Sequence, residues 1–114
     1  MNLDELAQEF GNISNEKPLH DLVQGLENWK SGNESVRGLE EMVERFFGNS
    51  WLQSEADHSK SYGLWLEFKH DAIDRIDGMT MNERLFLFGL FERFDKSSTE
   101  EQKHAVYSKL LARP

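Results

Sequence analysis

Apolar residues recur along this chain at spacings of three and four rather than two, which predicts helices from end to end. A first short helix begins after Asn2, sets Leu3, Leu6 and Phe10 on one side, and stops at Gly11. A second starts near Pro18, which suits a first helical turn because it has no N–H to leave unpaired there. It aligns Leu19, Leu22, Val23, Leu26 and Trp29 before the polar loop KSGNES. Asn33 is placed to cap a third helix with Val36, Leu39, Met42, Val43, Phe46 and Phe47 on its inner face, ended by Gly48 and Asn49.

The stretch from Ser50 to Asp77 reads as one long helix or two, and its polar run around His58 to Ser61 favours a break or kink. Its later part carries Leu64, Trp65, Phe68, Ala72, Ile73 and Ile76 at helical spacing up to Gly78. Thr80 and Glu83 have the spacing of a capping box, in which each side chain takes the other residue's backbone N–H. Ser98 with Glu101, or Ser97 with Glu100, repeats the spacing ahead of a last helix bearing Ala105, Val106, Leu110 and Leu111.

Between these boxes lies GMTMNERLFLFGLFERFD. On one helix, Met81, Leu85, Phe88 and Phe91 form a stripe flanked by Phe86, Leu87, Leu90 and Phe94. So wide an apolar arc predicts the central core helix, with Gly89 admitting a neighbouring backbone and Glu83, Arg84, Glu92 and Arg93 facing water. A homodimer face or a partner groove is the alternative. The expected architecture is all-α, one compact domain over residues 1–114, a bundle of about five to seven helices.

Composition narrows the chemistry. The 114 residues include no cysteine, which removes thiol catalysis, Cys-ligated zinc and disulfides. MNLDELAQEF lacks the basic start and apolar stretch of a secretory signal, and no apolar run approaches the roughly 20 residues of a membrane span, so a cytoplasmic location is expected. His20, His58, His70 and His104 are scattered, and only His70 with Asp74 shares a helical face. Two ligands make no zinc site, and no phosphate-binding loop or nucleophile elbow is present. No metal, no cofactor and no catalytic residue is therefore assigned, and the chain is expected not to be an enzyme.

Charge is uneven. The net charge of −8 falls on residues 1–58, with 12 acids and 4 bases, while residues 59–114 balance 9 against 9. In ESVRGLEEMVERFF, Glu40 and Glu44 lie four apart and repel unless a cation serves them, whereas Arg37 and Arg45 are spaced to pair with Glu41. Such charge is either a solvated face that maintains solubility or a surface that meets a basic protein. Clustered Lys and Arg, which phosphate binding needs, are absent, so nucleic acid is not an expected direct partner, nor is a membrane. The candidate partner surface is Glu34, Glu40, Glu41, Glu44, Glu55 and Asp57, with Trp51 as its aromatic anchor; Trp29 stands at a similar boundary.

Within MTMNERLFLFGLFERFD, Asn-Glu-Arg-Leu-Phe followed by Gly-Leu and Phe-Asp is similar to a segment of small bacterial proteins. The whole acidic, cysteine-free chain resembles the immunity proteins of bacterial contact-dependent growth inhibition and related toxin systems. That resemblance implies a binder that neutralises one cognate toxin, often a basic nuclease domain, without catalysis of its own. The other expectation is a regulatory adaptor or a homo-oligomeric module joined through the phenylalanine-rich helix.

Overall fold

Every long helix but one starts where a side chain takes over an otherwise unpaired backbone N–H. In the computed structural model, which describes residues 1–114, α1 is Leu3–Ile13, α2 Lys17–Ser31, α3 Val36–Asn49 and α4 Glu55–Phe68. A π-helical turn, Lys69–Ile73, and a 3₁₀ turn, Ile76–Gly78, lead to α5 Met81–Leu87, α6 Phe91–Asp95 and α7 Glu100–Lys109. The protein is all-α, with seven α-helices and no strand.

Capping boxes at Asn2/Glu5, Thr80/Glu83 and Thr99/Gln102 open α1, α5 and α7. The last of these corrects the expected Ser98/Glu101 and Ser97/Glu100 registers: Gln102 also collects the Ser98 N–H at 2.7 Å and its hydroxyl at 3.2 Å, so one side chain serves three donors. Asn33 is not the cap of α3. Ser35 is, accepting from the Arg37 N–H at 3.2 Å, and Asn33 instead receives Arg93 at 3.3 Å. Of the long helices only α2 lacks a side-chain cap, and it carries Pro in its first turn; the five-residue α6 is also uncapped.

Two expected boundaries move for local reasons. Gly11 does not end α1, which keeps helical backbone to Ile13 and stops where Ser14 turns extended. No break occurs at His58 to Ser61, because Ser61 turns its hydroxyl onto the Asp57 carbonyl at 2.8 Å and is fully buried inside α4. The irregularity comes later, where the Asp74 N–H reaches back five residues to Lys69 at 2.9 Å.

The phenylalanine-rich stretch is two helices rather than one. Gly89 adopts φ +67°, and the Leu90 and Gly89 N–H groups bond the carbonyls of Leu85 and Phe86 at 2.9 and 3.3 Å, which is the Schellman ending of α5. Leu85, Phe88 and Leu90 enter the core, but Phe86 and Phe91 are exposed, so the expected wide buried arc is only partly buried. Arg84 is also not in water, and Arg93 is only partly so. Arg84 is buried and donates to the carbonyls of Met79, Leu110 and Leu111, while Arg93 donates to those of Lys30 and Gly32.

One continuous core of 23 residues draws on all helices except α6. Helix α1 packs against α2 and α4, α2 against α3, and α6 bridges α5 to α7. Trp65, Phe68, Phe10 and Phe88 are its largest fully buried apolar side chains, and burial of a side chain of this kind is worth about 1.5–3 kcal/mol. No buried side-chain polar atom lacks a partner. The bundle is elongated, 46 × 25 × 21 Å along its three principal axes.

Candidate partner-binding surface

The loop between α3 and α4 carries Trp51, whose indole is 71 % exposed, the most open large apolar side chain of the protein. It is not loose. Its ring stacks on His58 of α4 with centroids 4.4 Å apart and planes 18° from parallel. His58 meets the edge of Phe47 at 5.8 Å, and Phe47 packs on Tyr62 at 5.1 Å and on fully buried Phe10 at 6.4 Å. A ladder of rings therefore runs from the surface to the core and fixes the outermost indole. Trp29, the other boundary tryptophan, is core: it is buried and its Nε1 donates to the Ser35 carbonyl at 2.9 Å.

His58 and Tyr62 lie four residues apart and so project from one side of α4. That spacing was available in the sequence, but it reads as a shared face only once α4 is continuous through residues 58–61. Phe47 carries no sequence mark that separates it from ordinary core.

The carboxylates divide into three groups. Glu40 and Glu44 on α3 face Lys69, whose Nζ stands 3.5 Å from Glu40 and 3.7 Å from Glu44. Arg37 joins Glu40 at 3.4 Å rather than the expected Glu41, and Arg45 makes no ion pair. Burial by itself lowers the Lys69 ammonium, but Glu44 and Glu40 outweigh it and hold the group above its ordinary value. Glu44 further accepts the Trp65 indole N–H at 2.8 Å, so it also anchors a core side chain.

Glu34 and Glu41 line a groove between α2 and α3, together with Trp29, Met42 and Arg45. The Glu34 side chain folds over Gly38, so that a Cβ there would displace its carboxylate. Glu55 and Asp57 make up the third group, in the first turn of α4, where negative charge complements the helix dipole. Glu55 is exposed and one turn from His58, so it flanks the Trp51 stack; Asp57 is half-buried. Glu44, Trp51 and Glu55 thus gather around the aromatic ladder, while Glu34 and Glu41 belong to the neighbouring groove.

No cluster of three His, Asp or Glu side chains able to hold a metal ion is present, and no helix is long and apolar enough to cross a membrane. His70 and Asp74 are both exposed, and Asp71 forms no ion pair with Arg75 four residues on. What the arrangement offers chemically is a rigid exposed indole beside carboxylates. No family model matches this chain, and neither the curated proteins nor the solved structures contain a match to it.

Proposed function

We propose that this protein acts by binding another protein, as an immunity-type inhibitor that covers a basic toxin domain, in the cytoplasm and without catalysis of its own. The observation that carries the reading is Trp51, 71 % exposed yet held flat on His58 within the negatively charged half of the chain. An indole fixed in advance loses little freedom on binding, and tryptophan is among the residues that most often dominate interface energy. Surrounding carboxylates speed encounter with a basic surface and select against acidic ones.

The test begins by capturing the partner on the purified protein, with its genomic neighbour co-expressed, under low-salt and high-salt washes. Association is then timed for the isolated pair. Glu55→Lys should slow association several-fold and flatten its salt dependence, and Trp51→Ala should speed dissociation tenfold or more. A basic partner indifferent to both substitutions refutes the reading.

Exposure of Phe86 and Phe91 beside the α5–α6 joint supports the alternative of an adaptor or homo-oligomeric module. Sedimentation decides between them: a dimer dispersed by Phe86→Ser and Phe91→Ser speaks for the module, and a monomer at all concentrations speaks against it.

A further inference from the structure

We propose that the recess between α3 and α4, beside Trp51, receives an arginine side chain of the basic partner. This rests on the reading of the protein as a binder of a basic domain and specifies the contact at its centre. The recess is lined by Glu44, Phe47, Gly48, His58 and Tyr62, is open to solvent and measures about 230 Å³. Sites for drug-sized ligands run to roughly 300–1,000 Å³, so this one suits a single side chain rather than a cofactor or nucleotide. Phe47 meets His58 at 79° and Tyr62 at 64°, so the rings form an angled wall rather than a flat stack. Nothing lies within 4 Å of where a Cβ on Gly48 would stand, which leaves the mouth open.

Chemistry selects the guest. Glu44 uses Oε1 for both its contacts, the Trp65 indole at 2.8 Å and Lys69 at 3.7 Å, while Oε2 makes none. The Trp65 bond fixes the carboxylate in place, with an acceptor free beside an aromatic wall. An apolar guest would strip water from that oxygen without replacing it, and an anion would be repelled. A guanidinium answers both features, since it is planar, weakly hydrated, stacks on rings and donates in a fork to carboxylates. Lysine offers a point charge that stacks less well and holds its water more tightly. The open face of Trp51, opposite His58, then covers the chain that brings the arginine in.

The probe is a glycine-flanked peptide with two arginines, compared with the same peptide carrying lysine and carrying citrulline, the neutral shape-mimic of arginine. Binding to the ¹⁵N-labelled whole protein is followed by NMR. The arginine peptide should shift the Gly48 amide and the Trp51 and Trp65 indole N–H signals. The citrulline peptide should bind at least tenfold more weakly, and the lysine peptide several-fold more weakly. Glu44→Gln retains an acceptor for Trp65 but not the charge, and should weaken arginine binding about tenfold with the Trp65 signal otherwise in place. Gly48→Leu, which closes the mouth, should abolish the shifts.

Equal binding of the citrulline peptide, or shifts that avoid these signals, overturns the proposal. With a captured partner, loss of affinity in Glu55→Lys but not in Glu44→Gln or Gly48→Leu defeats the arginine site and leaves the acidic-binder reading intact. Arginine-selective shifts in the recess, with a partner indifferent to Glu55→Lys and Trp51→Ala, support the site and defeat the reading.

Discussion

Arg84 donates from Nη1 to the carbonyl oxygen of Leu111 at 2.7 Å, and Leu111 is the only non-glycine residue with positive φ, at 57°. The same nitrogen reaches the Leu110 carbonyl at 3.0 Å. Leu111 closes α7 as a Schellman motif, with the Ala112 N–H on the Tyr107 carbonyl at 2.8 Å and its own N–H on that of Ser108 at 3.1 Å. A left-handed conformation costs an L-residue with a Cβ about 1–2 kcal/mol, and a buried guanidinium on two adjacent carbonyls holds it there. Arg84→Met should therefore lower stability by about 2–4 kcal/mol, since it leaves those carbonyls without their donor. Leu111→Gly should be about 1 kcal/mol more stable than Leu111→Ala, because both lose the side chain and only one relieves the backbone. Urea unfolding of the three variants measures both differences, and equal stability of the glycine and alanine variants would remove the strain from the account.

Lys109, the residue before Leu110 at the end of α7, performs a related task. It is buried, lies 3.8 Å from the centre of the Trp29 ring, and donates to the carbonyls of Trp29, Gly32 and Glu34. Burial, aided by Arg93 and opposed by Glu34, lowers its ammonium from 10.5 to about 8. Between about pH 8 and 10.5 the unfolded chain therefore holds a proton that the folded one has released, so this group makes stability rise with pH there. The slope is at most about 1.4 kcal/mol per pH unit. Lys109→Met should lose that rise, and at pH 7 should be less stable by about 2 kcal/mol because the carbonyls lose their donor. Unfolding curves at pH 7, 8, 9 and 10 for both proteins, taken as differences, isolate it; parallel curves would show that the burial penalty is not felt.

Lys69 has the opposite sign. Its ammonium is held above its ordinary value against the pull of burial by Glu44 and Glu40, so its contribution is complete below about pH 10.4 and is lost as pH rises through the folded value. The Glu40→Gln/Glu44→Gln double variant should lose stability at pH 7 and show less further loss above pH 10. Charge reversal at Glu40 and Glu44 would instead place new cations against Lys69 and release the Trp65 indole. It therefore reports on folding as well as on the surface, and Glu55 is the cleaner probe of partner binding.

The helical periodicity of Leu3, Leu6 and Phe10, or of Val36, Leu39 and Val43, was legible because a buried face repeats with the helix itself, and each of these residues is in the core. The Thr80/Glu83 box was legible because its two partners are three residues apart. What escaped was long-range. Nothing near Arg84, Arg93 or Lys109 in sequence marks them as donors to carbonyls 26, 63 and 80 residues away, and by type alone they read as surface charge. Lys69 stands 29 residues from Glu40, so the cation that serves the carboxylate pair was equally hidden. Of the candidate surface, a place beside a loop allowed Trp51 to be exposed but did not separate it from Trp29, which stands at a similar boundary and is buried, and the ring stack that holds Trp51 depends on the path of α4.

Gly89 offers a final separation of backbone from side-chain effects. Its φ of +67° ends α5, and a Cβ added there would lie 2.7 Å from Oδ2 of Asp4, whose Oδ1 pairs with Lys30 at 2.7 Å. Gly89→Ala should thus lose stability for two reasons, about 1–2 kcal/mol for the left-handed conformation and a smaller amount for displacing Asp4. Asp4 is half-exposed and its side chain flexible, so it can turn aside at the expense of an ion pair worth about 0–1 kcal/mol. In the Asp4→Ala background the Gly89→Ala cost should shrink by no more than that amount, leaving the backbone part. A double-mutant cycle by urea unfolding gives the coupling directly. Near-complete recovery in that background would mean that the contact with Asp4, rather than the turn that divides α5 from α6, is what demands glycine.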